Sequence, residues 1–137
     1  VAPERIVIMG RSLGGAPAIW LAGEVDAAGL VAESTFTSIV DMGKEQYPFL
    51  PVDLLMTHRY ESINRIAGVR SPVLVAHSPD DTLIDLAHGK ALLERAPEPK
   101  RFLQLVGDHN DTIRESGAAY PEGLDAFFTE VLPADPN

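Results

Sequence analysis

The sequence predicts an α/β fold with a parallel sheet of about four strands flanked by helices. Four short runs rich in apolar and β-branched residues are typical of strands, at about 5–9, 28–33, 72–77 and 101–106. Segments with helical periodicity separate them, and strands that alternate with helices form parallel sheets through right-handed crossovers. With 137 residues, the chain is expected to form a single domain, 1–137.

The helices are predicted from apolar residues at helical spacing. They are expected at about 14–24, 38–46, 62–67, 84–95 and 117–132. The last of them carries its apolar side chains at i, i+3, i+4 and i+7, namely Leu124, Phe127, Phe128 and Val131. The rest of 34–60 is expected to be irregular to helical, with Pro48 and Pro51 breaking the helix at 38–46. Residues 133–137 are expected to form a tail.

A glycine-rich sequence joins the first predicted strand to the first helix. It reads Gly10-Arg11-Ser12-Leu13-Gly14 and is followed by Gly15. A G-x-S-x-G between strand and helix is a nucleophile elbow, a turn so sharp that a Cβ two residues to either side of the serine is expected to collide with it. The context predicts Ser12 as a nucleophile, against the alternative of an ordinary Gly/Ser turn. The backbone N–H of Leu13 is the predicted oxyanion donor.

Acidic residues and a histidine follow the third and fourth predicted strands. The third strand leads into His77-Ser78-Pro79-Asp80-Asp81, and the fourth leads into Gly107-Asp108-His109. Open α/β sheets place their chemistry in loops at the carboxyl ends of the strands, and a serine nucleophile there is followed by an acid and then a histidine. His109 is therefore the predicted base. The residues alone leave the acid open between Asp80 and Asp81, with Glu33 as a further alternative.

These motifs, together with Glu33-Ser34-Thr35-Phe36 and Tyr47-Pro48-Phe49-Leu50-Pro51, resemble the α/β-hydrolase superfamily. The resemblance is to the serine hydrolases that include bud-emergence-type hydrolases and eukaryotic protein depalmitoylases. It runs from about residue 5 to residue 128 and covers the carboxyl-terminal half of that domain, so it implies a partial α/β-hydrolase fold lacking the amino-terminal strands. It also places the acid at Asp81, four residues after His77.

The resemblance and the elbow together predict a hydrolase of carboxylic esters or thioesters with a small-molecule substrate and an acyl-enzyme intermediate. An ester is favoured over an amide because no second oxyanion donor is identified, and one missing donor costs on the order of 10²–10³ in turnover. The alternatives are a peptidase or amidase with the same triad, and an inactive half-domain that needs an amino-terminal partner.

Four residues are candidates for binding the substrate. Arg11 either meets a substrate carboxylate or shields the turn. Phe36, Phe49 and Leu50 belong to an apolar segment that either lines an acyl site or fills the core.

The remaining histidines are given no catalytic role. His77 is predicted to be structural because one base suffices, and His58 and His88 are predicted to be surface or packing residues. The histidines and aspartates after the third and fourth strands are also metal-ligand types. The elbow explains them more economically, so neither a metal nor a cofactor is predicted.

Composition disfavours several partners. The net charge of −9, from 20 acidic and 11 basic residues, disfavours nucleic acids and anionic lipids. No apolar run approaches the roughly 18 residues of a membrane span. The sequence has no cysteine, which fits the cytoplasmic enzyme that we predict.

The beginning of the chain predicts self-association. The chain starts at Val1, four residues before the first predicted strand, as expected for a fragment, a processed product or a minimal hydrolase. The strand at 5–9 is apolar at four of its five positions and has no proline, a pattern typical of a central strand. A homo-oligomer, most simply a dimer, is expected through this strand.

Overall fold

The structure is a computed structural model that describes residues 1–55 and 59–134. The predictions for His58 and for the end of the tail fall outside these residues. The described strands form one parallel sheet whose spatial order follows the chain. They are β1 (Val7–Arg11), β2 (Gly29–Glu33), β3 (Val73–His77) and β4 (Lys100–Gln104).

The sheet confirms the predicted parallel α/β fold, with shifted strand ends. β1 continues to Arg11 instead of ending near residue 9, and β4 ends at Gln104 instead of near residue 106. A strand extends only as far as its neighbour supplies pairing partners: Arg11 pairs with Glu33, and Gln104 pairs with His77. The carboxyl ends of the four strands therefore lie at one edge of the sheet, next to the loops that carry the candidate site.

Seven α-helices lie between and after the strands in the described part of the chain. They are α1 (Gly15–Glu24), α2 (Ile39–Gln46), α3 (Val52–Leu55), α4 (Ser62–Arg65), α5 (Leu86–Arg95), α6 (Thr112–Ser116) and α7 (Ala119–Val131). The sequence did not predict α6, a single short turn of helix that ends at Gly117 with a φ of 53°. No helix of the described residues is long and apolar enough to cross a membrane.

The core is divided between the two faces of the sheet. On one face, Leu30 and Val75 pack with side chains of α1 and α5. On the other face, Val31 and Leu74 pack against Phe127 of α7. Because β2 and β3 are covered on both faces, their sequences are continuous apolar runs without alternation.

β1 forms one edge of the described sheet. It is hydrogen-bonded to β2, while Met9 within it and Ile6 just before it are 44% and 41% exposed. An edge strand of this kind offers backbone N–H and C=O groups to another chain or segment. Association of two copies through this edge stays a prediction.

Candidate active site

The nucleophile elbow lies between β1 and α1. Ser12 has a φ of 52°, in the left-handed region that non-glycine residues adopt at a cost. A Cβ at Gly10 would overlap the Gly14 carbonyl and lie 2.5 Å from the Cβ of Ala18, so the chain can turn here only with glycine. The hydroxyl of Thr35, after β2, donates a 2.7 Å hydrogen bond to the Ser12 carbonyl and anchors the turn.

The expected collision at the second glycine of the motif is wrong. A Cβ at Gly14 would meet no atom within 4 Å, because this residue is exposed. The close approach belongs to the next residue. A Cβ at Gly15 would overlap the side chain of Thr35, whose own Cβ would be 2.5 Å away. Gly15 is therefore the glycine that lets α1 begin directly against the loop after β2.

The structure brings Ser12, His109 and Asp81 together. The Ser12 hydroxyl lies 2.9 Å from Nε2 of His109, and Nδ1 of His109 lies 2.7 Å from Oδ2 of Asp81. His109 and Asp81 are both buried. Since the Asp81 carboxylate accepts the Nδ1 proton, Nε2 is free to accept the proton of Ser12. A nucleophile, a base and an orienting acid in hydrogen-bonded sequence form the arrangement that activates a serine.

The acid is held by its own loop. Oδ1 of Asp81 accepts backbone N–H groups of Leu83 and Ile84 at 3.0 and 2.8 Å, which leaves Oδ2 for His109. Asp80 points elsewhere: its exposed carboxylate accepts the N–H of Gly107 at 3.3 Å. Of the two neighbouring aspartates, Asp81 is the one that contacts His109.

Glu33 occupies a different place from the one expected of an alternative acid. It is fully buried and contacts Nε of Arg11 at 3.1 Å and the hydroxyl of Tyr120 at 2.8 Å. Arg11 in turn donates through Nη2 to the backbone carbonyl of His109. Arg11 therefore directs its guanidinium into the protein, as in the alternative in which it shields the turn, and not toward a substrate carboxylate.

The other predicted site residues differ in exposure. Leu13 directly follows Ser12 in a short 3-10 turn, with its side chain 61% exposed. Phe49 is 79% exposed and Leu50 is also exposed, so both are available for contact with a ligand. The expectation that Phe36 lines a substrate surface is wrong. It is 1% exposed and packs with Ala16 and Ile84 in the core.

His77 and His88 are buried at positions outside the Ser12–His109–Asp81 arrangement. Nε2 of His77 donates to the Ile84 carbonyl at 2.8 Å and lies 3.6 Å from Oδ2 of Asp81. Burial lowers the pKa of His77, which favours the neutral ring. His88 accepts the N–H of Thr37 and contacts Glu45 at 2.8 Å. Both histidines hold loops in place.

Sequence reasoning missed three residues that support the site, Thr35, Asp108 and Tyr120. Asp108 directly precedes the base, a position that could have marked it. Tyr120 had no local signal, because it comes from α7 and reaches Glu33 across 87 positions of the sequence.

Within residues 1–55 and 59–134, no group of three His, Cys, Asp or Glu side chains is arranged to hold a metal ion.

Sequence comparison finds relatives along almost the whole chain. It is 39% identical over 132 residues to an uncharacterized protein of Mycobacterium tuberculosis, covering 96% of this chain and 47% of that protein. It is 35% identical over 137 residues to alpha/beta hydrolase domain-containing protein 17C of Homo sapiens, covering 97% of this chain and 39% of that protein. The chain thus spans less than half the length of these curated relatives. No protein-family model matches it.

Solved structures share the fold. An esterase of Pyrococcus furiosus superposes with a TM-score of 0.74 at 18% identity, covering 95% of this chain and 55% of that one. An acylaminoacyl peptidase of Pyrococcus horikoshii superposes with a TM-score of 0.72 at 19% identity, covering 100% of this chain and 26% of that one. The chain thus shares the fold of part of this esterase and this peptidase. In sequence it is similar to alpha/beta hydrolase domain-containing protein 17C, named above.

Proposed function

We propose that this chain is a serine hydrolase of carboxylic esters or thioesters. The observation that carries the proposal is the continuous path from Ser12 Oγ through the His109 imidazole to the Asp81 carboxylate, with contacts of 2.9 and 2.7 Å. The strained elbow holds Ser12 at the carboxyl edge of the sheet, where α/β folds bind their ligands.

The reaction follows from these contacts. Ser12 Oγ forms a bond to the substrate carbonyl carbon while Nε2 of His109 takes the hydroxyl proton. Collapse of the tetrahedral intermediate breaks the bond to the alcohol or thiol, which leaves with that proton. Water then attacks the acyl carbon and transfers a proton to His109. The bond from the acyl carbon to Ser12 Oγ breaks, the carboxylic acid leaves, and His109 returns its proton to Oγ. Asp81 stabilises the imidazolium that forms in each half of the reaction.

The oxyanion is assigned to the backbone N–H of Leu13, which directly follows the nucleophile. A single donor supports activated esters better than amides, because loss of one donor costs on the order of 10²–10³ in turnover and amides have the poorer leaving group. We therefore place esters and thioesters ahead of peptides. The cytoplasmic location and the independence from a cofactor stay predictions.

Covalent labelling tests the proposal. The purified 137-residue chain is treated with a fluorophosphonate, and the labelled peptide is identified by mass spectrometry. We expect the label on Ser12, with none in Ser12→Ala or in the heat-denatured parent. A folded parent that takes no label would instead support the inactive half-domain. Comparing p-nitrophenyl acetate with a peptide p-nitroanilide then separates an esterase from a peptidase or amidase.

A further inference from the structure

A polar network around one buried carboxylate links four segments beneath the candidate site. Its centre is the Glu33 carboxylate at the end of β2, which is shielded from solvent. Oε1 of Glu33 accepts a hydrogen bond from Nε of Arg11 at 3.1 Å, and Oε2 accepts one from the Tyr120 hydroxyl at 2.8 Å. Nη2 of Arg11 donates to the carbonyl oxygen of His109. The network thus connects β1, β2, α7 and the loop that carries the base.

A buried carboxylate is costly unless charge and hydrogen bonds compensate it. Glu33 has both, since the Arg11 guanidinium supplies the opposite charge and Tyr120 supplies a neutral donor. Burial, followed by the hydrogen bond to Glu33, raises the pKa of Tyr120 to about 12, so its hydroxyl remains a donor over the working pH range. A buried carboxylate compensated in this way holds its partners in a defined geometry.

Arg11 links the strand that carries the nucleophile to the loop that carries the base. Arg11 is the residue directly before Ser12, and it faces Glu33 in the register of β1 and β2. Arg11 is also the last residue of β1. The end of this strand therefore presents the nucleophile and, through the Arg11 guanidinium, holds the main chain of His109. The imidazole of His109 is oriented by Asp81 on one side, while its backbone is held by Arg11 on the other.

We propose that Arg11, Glu33 and Tyr120 form a positioning network that sets the approach of the His109 base to Ser12. This inference rests on the proposed function. None of the three is a catalytic residue, since they act through the backbone of His109. Their effect belongs in kcat, because a displacement of about 1 Å between reacting groups costs on the order of 10²-fold in rate.

The network also balances charge around the base. The groups that face His109 are His77 at the end of β3, Asp81 in the loop after it, Asp108 on the loop of the base, and Arg11 with its partner Glu33. If Glu33 is neutralised, the Arg11 charge near His109 loses its counterion and disfavours the imidazolium. The acidic limb of the pH–rate profile should then move to lower pH, which a purely structural defect would not produce.

The experiment compares Glu33→Gln, Tyr120→Phe and the double variant Arg11→Gln/Glu33→Gln with the parent on p-nitrophenyl acetate. Glu130→Gln is the matched control, because it breaks an ion pair with Arg101 on the exposed surface. We expect Glu33→Gln to lower kcat by about 10- to 100-fold with KM changed far less. The double variant should keep the low kcat but return the acidic limb to the parent position, because both charges are gone.

Three outcomes test whether the network positions His109. Tyr120→Phe removes a single hydroxyl, so it tests the network even if Glu33→Gln fails to fold. We expect it to lower kcat by about 3- to 10-fold, whereas Glu130→Gln should match the parent. If Glu33→Gln and Tyr120→Phe fold and match an active parent in kcat and pH profile, the inference is overturned and the proposed function stands. A folded parent without Ser12-dependent turnover overturns both.

Discussion

One carboxylate oxygen of Asp108 accepts both the backbone N–H and the hydroxyl of Thr82, each at 2.8 Å. Thr82 directly follows the acid Asp81, and Asp108 directly precedes the base His109. The same oxygen also accepts the N–H of His109 at 2.8 Å. The loops that carry the acid and the base are therefore joined outside the triad by this contact, as well as by the one between Asp80 and Gly107.

Removing this contact should slow the enzyme. Asp108→Ala leaves the imidazole intact but frees the His109 loop, so we expect kcat to fall by about 10-fold or more. Asp125→Ala is the control, because it removes the same charge from an exposed position on α7. Steady-state kinetics on p-nitrophenyl acetate measures both. Equal kcat values for the two variants would show that the contact is dispensable.

The same contact predicts a pH-dependent stability difference. Backbone N–H groups, that of Thr82 foremost, lower the pKa of Asp108 below its ordinary value of 3.8. A carboxyl with a lowered pKa in the folded state stabilises that state above its unfolded pKa and loses the effect as the pH falls through the folded pKa. The Tm difference between parent and Asp108→Ala should thus be largest near neutral pH and shrink below about pH 4. Calorimetry would show a constant difference if the hydrogen bonds did not favour the charged form.

Two substitutions of Ser12 distinguish the effect of losing its hydroxyl from the cost of its strained backbone conformation. Ser12→Ala and Ser12→Gly both remove the attacking oxygen, so each should lower kcat by at least about 10³-fold. Because the φ of 52° is costly for alanine but not for glycine, Ser12→Gly should be more stable than Ser12→Ala by about 1 kcal/mol. Thermal unfolding measures this difference. Activity near that of the parent in Ser12→Ala would exclude Ser12 as the nucleophile.

The two neighbouring aspartates should behave differently. Asp81→Asn retains the shape of the side chain but favours the wrong imidazole tautomer, and we expect a loss of about 10⁴-fold in kcat. Asp80→Asn alters only an exposed contact with Gly107 and should change kcat by less than about 3-fold. The reverse order of effects would move the orienting role to Asp80.

Turnover should require the neutral form of the His109 ring. Only the neutral imidazole accepts the Ser12 proton, so kcat/KM increases as the ring loses its own proton and then levels off. His77 adds no second step near neutrality, because burial lowers its pKa and keeps its ring neutral. A pH profile of kcat/KM for p-nitrophenyl acetate between about pH 5 and 8 tests this, and a flat profile would contradict a histidine base.

The edge strand predicts that the isolated chain self-associates. Ile6 and Met9 expose apolar surface beside the open backbone of β1, and a two-fold copy would cover both. We expect light scattering to give a dimer for the parent and a smaller species for Met9→Lys. Ile113→Lys introduces the same charge at an exposed position on α6 and should not change the mass. A monodisperse, folded monomer of the parent at micromolar concentration would contradict the prediction.

Much of the fold was predictable because its signals are local. Apolar runs marked the four strands, and periodicity marked the long helices. Strand ends were less well predicted, since pairing with neighbours decides them. The helix α6 was missed because a five-residue helix is too short to show periodicity.

By itself, the sequence determined the elbow around Ser12 and the order of serine, acid and histidine after the first, third and fourth strands, since these depend on neighbours along the chain. The tertiary structure decided which carboxylate serves which partner. It directs Asp81 to His109, encloses Glu33 between Arg11 and Tyr120, and buries Phe36. Such contacts join residues far apart in sequence, so they exist only after the crossovers and helix packing have brought the strand ends together.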